Sequence, residues 1–485
     1  MAAALDAMAR DLGRQGFVEV PATIPSRRAG TPWVSELPFG LMGGDMSAFR
    51  RHSERASVGD IGDSRWLTVP GCKQVLVVAH SVTYLQRLRA VFSLLEQDPR
   101  LQVVCTVPPH QFGEGVHEAL AALGIPVIPW RRAVRREFDL ALAAGSRGTE
   151  QIRARLVRLS HGAGQIKVLR SAREGAASDG NAAGRHEAGT DEGRTAQAQA
   201  ALRPPAMLSR EYLLHEGRVV PAAVALSHER DLAELTRTCP EALPVARVVG
   251  DPCHDRIAAS LRLRRRYRQA LGLGERQKLV VVATTWGPSS AFGSFETLLP
   301  RLATELPADR FRTAVLVHPN VWAGHGSRQI RAWLTGFRRR GPVAIPPEAD
   351  WRSILVAADW IIGDHGSVTS YGTLTSAPVL LARFPDHEVH PDSPAAALAR
   401  TAPALTAARP LREQLRYAAA EYRRADYARI GAMLSSEPGR FNTNMRSLLY
   451  GILGLGRPAF APVTAALPSP PPLDSWAGLP GSEAA

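Results

Sequence analysis

The chain has 485 residues, 45% hydrophobic and 21% charged, a make-up that fits a globular protein with two or three cores. Its formal net charge is +14, its four cysteines form no CxxC pair, and it contains no uncharged apolar run of about 18 residues. A disulfide framework, a cysteine zinc site and a transmembrane helix are thereby excluded, and a reducing cytoplasm fits best.

The charge excess is mostly arginine, as in a genome rich in G and C. It clusters at Arg131-Arg132 with Arg135-Arg136, at Arg262 and Arg264–Arg266, and at Arg338–Arg340. Such clusters read first as solvated helix faces. Peripheral attraction to an anionic membrane or polymer is the sharper reading. No zinc finger, helix-turn-helix or aromatic RNA-binding strand accompanies the charge, so specific nucleic-acid binding is not expected.

Residues 1–66 show little periodicity beyond a helix predicted over Ala2–Gly16, and they read as an extension of uncertain order. Asp6, Arg10, Asp11 and Arg14 argue against a secretory leader. Regular patterning begins at Gln74–His80, an apolar run ending in small and polar residues. Helical spacing over Tyr84–Glu96, an apolar run Leu101–Thr106 and a helix over Glu114–Leu123 follow. Strands are expected at Ile125–Ile128 and Phe138–Ala143. Continuous apolar strands alternating with amphipathic helices predict a parallel sheet covered on both faces. Ligands in such sheets bind beyond the C-terminal strand ends, which places His80 and His161 near chemistry. A turn histidine holding one structural hydrogen bond is the plainer account of His161.

From residue 171 to 205 the composition turns to Ala, Gly, Asp, Glu, Ser and Gln, and this stretch is expected to be a disordered insert. Strand patterning resumes at Ala222–Ser227, and Gly250-Asp251-Pro252 marks the crossing into a second domain. That domain repeats the theme. A basic helix over Arg256–Leu271 precedes the apolar run Lys278–Gly287, which ends in Thr284-Thr285-Trp286. A helix over Phe295–Leu306, bent or restarted at Pro300, leads to the strand Arg312–Val317 and then His318-Pro319. Further on stand a helix over Ile330–Arg338, a strand at Val343–Pro346 and a helix over Asp350–Ala358. The run Trp360–Ile362 then breaks into Gly363-Asp364-His365-Gly366-Ser367 and restarts as a helix running toward Pro378. A strand that turns on small residues into a helix aims free N–H groups at one point and favours an anion there. Val379–Ala382 closes the strand series, residues 394–450 are helical in pattern, and 457–485 read as a disordered Pro/Ala-rich tail.

The architecture predicted is α/β: two Rossmann-like, doubly wound domains, 67–248 and 249–456, facing each other across a cleft. The ordered series His161-Gly162, Gly250–Asp255, Ala283–Trp286, His318-Pro319 and Gly363–Ser367 resembles the CDP-glycerol glycerophosphotransferase family. Those enzymes have a GT-B fold and build teichoic-acid-type polymers at the inner membrane face. The resemblance spans residues 75 to 450 without the insert, and extends loosely to sugar-nucleotide epimerases and glycosyltransferases. This chain has Ser160 where the family has Trp, Cys253 where it has Arg, and Asp364-His365-Gly366-Ser367 where it has Asp-Tyr-Ser-Ser.

The resemblance implies a nucleotide-activated donor in the second half, and a polymer or lipid-linked acceptor in the first. It makes His161 the acceptor-activating base and His318 a contact to the donor pyrophosphate. Asp364, His365, Gly366, Ser367 and Thr369 would hold donor phosphates, while His80, Thr285 and Trp286 would line the cleft. Asp364 as a helix cap, His318 in a strand-ending turn and Trp286 in a core are the plainer accounts. No metal ligand set stands out, Asp386–His390 reading as a solvated loop, and no cofactor is expected beyond the donor itself. Two alternatives stay open: an epimerase or hydrolase of the same fold, and a non-catalytic scaffold that binds nucleotide or membrane.

Overall fold

Two runs of valine and leucine, KQVLVV and KLVVVA, start the two sheets, and every neighbour they acquire is parallel. The computed structural model describes residues 69, 71–169, 203–338 and 342–477, all within one compact unit, Asp60–Ala485. The extension 1–66 and nearly all of the insert 171–205 lie outside the described residues. Residues 203–205 are the exception: Pro205 forms a bridge with Val168.

In the first half β1 (Lys73–Val78), β2 (Leu101–Thr106), β3 (Leu140–Ala143), β4 (Leu156–Leu159), β7 (Ala223–Leu226) and β8 (Ala246–Val248) form one sheet. Its order is β2-β1-β3-β4-β7-β8, with a small antiparallel ribbon of β5 (Leu214–His215) and β6 (Arg218–Val219) apart from it. In the second half β9 (Lys278–Ala283), β10 (Phe311–Leu316), β11 (Pro342–Ile345), β12 (Trp360–Gly363) and β13 (Val379–Leu381) take the order β11-β10-β9-β12-β13. Both sheets therefore reverse direction of growth beside their first strand, and a crevice opens there above the strand ends. Two Rossmann-like doubly wound halves result.

Burial explains the strands. Val75–Val78 and Leu279–Val282 are solvent-free on both faces, as parallel strands between helical layers must be. One apolar cluster joins the halves: Ala163 and Ile166 of the first pack with Leu279, Ile361 and Val389 of the second. The chain leaves the first sheet after β8 and turns at Gly250-Asp251. Gly250 has φ +93°, which a side chain would strain, and Asp251 caps the helix Pro252–Ser260 by accepting from His254 N–H at 2.8 Å. The helix Phe441–Leu453 returns to the first sheet, where Phe441, Met445, Leu449 and Tyr450 join its core.

The structure corrects four expectations. The helix Phe295–Glu305 continues through Pro300, because Phe295, Leu298, Leu299 and Leu302 bury one face of it. Ile125–Ile128 makes only the bridge Cys105↔Val127, since Pro126 has no N–H to extend a ladder. The basic helix over Arg256–Leu271 breaks at Ser260–Leu263, where the Ser260 hydroxyl turns back to donate to Arg256 O. The tail to residue 477 packs rather than trailing: Leu467 and Leu473 are buried, and the Tyr267 hydroxyl donates to Leu467 O at 2.7 Å. Residues 478–485 lie outside the described residues.

Candidate active site

The register of β12 on β9 pairs Gly363 with Ala283, so Asp364 leaves the sheet beside Thr284-Thr285. Its carboxylate accepts from the N–H groups of Thr285 (2.9 Å), Ala291 (2.8 Å) and Gly366 (3.0 Å). Asp364 is 1% exposed, and burial raises its pKa although the three N–H donors and Lys167 oppose that. It is a strut that fixes the two loops at the crevice. Those backbone N–H groups satisfy the carboxylate from within the protein.

Three neighbours are buried as well. Thr369 is 1% exposed, and its hydroxyl has no hydrogen-bond partner among the described residues. Thr285 is buried, with its N–H committed to Asp364. His365 is 1% exposed, and neither ring nitrogen has a hydrogen-bond partner among the described residues. Burial first, and Lys167 second, lower its pKa to about 3, so it is a neutral ring under the loop. The helix that starts here, Ser367–Tyr371, has only five residues before a 3-10 turn, so its dipole is that of a single turn. Gly366 and Ser367 remain half-buried at the cleft. The Ser367 hydroxyl oxygen accepts from Ala163 N–H at 3.1 Å, which leaves its own O–H to donate. Gly162 is required there, because a Cβ on it would stand 2.6 Å from Ser367 Oγ.

Across the cleft, β1 ends before His80 and β4 before Ser160-His161. His161 Nδ1 lies 3.3 Å from Ala144 O. A carbonyl can only accept, so this contact places the proton on Nδ1 and leaves Nε2 with a free lone pair. Ser81 caps the helix Val82–Phe92 by accepting from Tyr84 N–H, which sets Tyr84 in the first turn with its ring centroid 4.4 Å from that of His161. Burial lowers His161 to a pKa of about 4; the backbone carbonyl opposes this, while Arg87 and Lys167 add to it. His161 is therefore neutral near pH 7 and able to take a proton.

His318 has the opposite tautomer. Its Nδ1 accepts from Asn320 N–H at 3.1 Å in capping the helix Pro319–His325, so Nε2 carries the hydrogen. Burial first, then the charges of Lys167 and His161, lower it to about 3. His80 is 1% exposed, and its ring meets those of Tyr84 and His110 edge-on. Its Nε2 is 2.7 Å from Arg147 O, and burial lowers its pKa to about 4.

Several residues of the site went unrecognised in the sequence. Phe112 crosses from the loop after β2 to Trp286, with ring centroids 5.3 Å apart, and His110 meets Phe112 edge-on. Lys167 Nζ lies 4.6 Å from the Trp286 ring centroid, and its charge acts on His161, His318, His365 and Asp364. Below the cleft Arg87 donates to Asp251 (2.8 Å) and to Ser160 O (2.9 Å), and the Tyr371 hydroxyl donates to Asp251 at 2.8 Å. The available signal was that Lys167 and Ser160 flank a Gly-rich turn after a buried strand, and that Asp251 follows Gly250.

No family model and no curated protein matches the sequence. Among solved structures the chain is similar to a wall teichoic acid polymerase, TagF, soaked with CDPG, at 12% identity over 79% of this chain and 89% of that one, with a TM-score of 0.46. It is also similar to HepE of Anabaena in complex with UDP and glucose, at 12% identity, 79% and 99% coverage and a TM-score of 0.41. A glycosyltransferase from Rickettsia africae follows at 10% identity, the same two coverages and a TM-score of 0.39. At such values the site rests on this chain's own strands, registers and side chains, as set out above.

Proposed function

We propose that this chain is a transferase that moves a glycerophosphate or glycosyl unit from a nucleotide-activated donor, held by the second half, to a hydroxyl acceptor held by the first. The observation that carries the reading is the pair of complementary imidazoles at the two sets of strand ends. His161 offers a lone pair at Nε2, and His318 offers an N–H. His161 Nε2 takes the acceptor's hydroxyl proton as the acceptor oxygen forms its bond to the phosphorus, or to the anomeric carbon, of the donor. The bond from that centre to the nucleotide's phosphate oxygen breaks, and the electron pair leaves with the nucleotide. The His318 N–H donates to the departing phosphate, as do the Ser367 O–H and the Gly366 backbone.

A base near pKa 4 is weak, and the donor's negative charge beside His161 raises its affinity for a proton as the complex forms. The resemblance of the ordered motifs supports a cell-envelope polymer or lipid-linked acceptor and work at the inner membrane face. No helix among the described residues is long and apolar enough to cross a membrane. A single-turnover assay with radiolabelled CDP-glycerol and UDP-sugars, with and without extracted lipid acceptors, tests the reading. Label transfer that is lost in His161→Ala supports it. An altered sugar nucleotide formed without any acceptor favours the epimerase or hydrolase instead. No turnover together with no nucleotide binding sinks it.

A further inference from the structure

The helix that starts at the crevice in the second half has only five residues, so its dipole is that of a single turn. A diphosphate carries two or more negative charges and needs a cation or several strong donors to replace its water. We infer that the first half supplies that cation: Lys167 is the residue that holds the donor's diphosphate. The inference rests on the donor reading above and deepens it, since it commits the donor to a diphosphate linkage.

The geometry is built rather than incidental. The backbone around Lys167 is fastened on both sides. Its carbonyl accepts from Ala206 N–H at 2.9 Å, and Val168 N–H donates to Glu388 O at 3.1 Å. His390 N–H donates to Ile166 O at 2.8 Å, and Lys167 pairs with Val389 in an antiparallel bridge. A segment of the first half is thus laced to residues 388–390 of the second, with Lys167 at the lacing point. The side chain then lies over the ring of Trp286, in the loop that follows β9. The same charge acts on His318, whose Nε2 carries a hydrogen. A diphosphate between them would meet an ammonium from one half and an imidazole N–H from the other. Donor binding thereby depends on the two halves being laced, and phosphate is drawn to the joint where His161 works.

The test is calorimetry on the full chain with CDP, UDP, inorganic pyrophosphate, cytidine and uridine, for the wild type, Lys167→Met and Lys167→Arg. Loss of one charge-assisted contact predicts that Lys167→Met weakens the diphosphates about tenfold or more while shifting the nucleosides less than about twofold. Lys167→Arg, which keeps the charge, stays within about threefold of wild type for the diphosphates. Affinity for the preferred diphosphate should fall with added salt in the wild type, and less steeply in Lys167→Met. Equal losses for nucleoside and diphosphate would make Lys167 a structural clamp on Trp286 and overturn the inference. So would an unchanged diphosphate affinity in Lys167→Met, or an equal loss in Lys167→Arg; each leaves the donor reading standing. A wild-type chain that binds none of these probes overturns both.

Discussion

The joint beneath the cleft gives the sharpest energetic test. Arg87 is 5% exposed in its side chain and Asp251 is fully buried, so the pair has almost no water to fall back on. Tyr371 of the second half donates its hydroxyl to the same carboxylate, and Arg87 also donates to Ser160 O, one residue from His161. Asp251→Asn keeps the helix cap, because an amide oxygen still accepts from His254 N–H. It removes the counter-charge and turns an N–H₂ toward the Arg87 and Tyr371 donors. An uncompensated buried guanidinium costs about 3–5 kcal/mol. Replacing both partners, in Arg87→Met/Asp251→Asn, removes the stranded charge. The double variant should therefore be more stable than Asp251→Asn alone by at least about 1 kcal/mol. Urea unfolding of the four proteins, followed by far-UV circular dichroism, gives the cycle. A loss below about 1 kcal/mol for Asp251→Asn, or single losses that add within about 0.5 kcal/mol, would refute the account of the joint.

Other expectations concern the histidines and the loop contact. His80 and His365 are buried with pKa values lowered to about 4 and about 3, so the unfolded chain binds their protons first as pH falls. Folding stability should be flat above the ordinary histidine value near 6.5 and should drop as pH falls toward 4, by about 1.4 kcal/mol per pH unit for each ring. Unfolding free energies from pH 7.5 to 4.5 measure the slope, and a rise in stability over that range contradicts the burial argument. His161 in the free protein should titrate near 4 in ring-proton NMR, and a bound nucleoside diphosphate should raise that value; a lowered value speaks against phosphate beside it. Gly162→Ala must push the Ser367 hydroxyl off Ala163 N–H, at a cost of about 1 kcal/mol. In a Ser367→Ala background the same change should cost less than half as much by thermal unfolding, and an undiminished cost would place the strain elsewhere.

How far the sequence reached depended on whether a feature was local. The runs at β1, β9 and β12 are apolar on both faces, so strand, parallel sheet and the strand-end positions of His80, His161 and Asp364 could all be read from spacing. The tautomers of His161 and His318 could not, because each depends on which backbone group meets Nδ1. The partners of Asp364 were hidden for a related reason. An acidic residue in a Gly-Ser turn has the same signature whether it faces a ligand or ties two loops, and only the N–H groups of Thr285 and Ala291, distant in sequence, decide between them. Lys167 was hidden because Trp286 lies over a hundred residues away along the chain. Composition also misled at the tail, where Leu467 and Leu473 reach a groove that a Pro/Ala-rich segment gives no hint of.

The central claim is that the crevice between β9 and β12, completed by the first half, is a nucleotide-donor site. The most direct check is the melting temperature of the full chain against CDP, UDP, GDP and ADP and their glycerol- or sugar-linked forms. A ligand that binds only the folded state at about 100 times its Kd adds about 2.7 kcal/mol of stability. The account predicts a concentration-dependent rise in melting temperature for one base over the others, larger for the diphosphate than for its nucleoside. A melting temperature unmoved by every one of these ligands at millimolar concentration would contradict it.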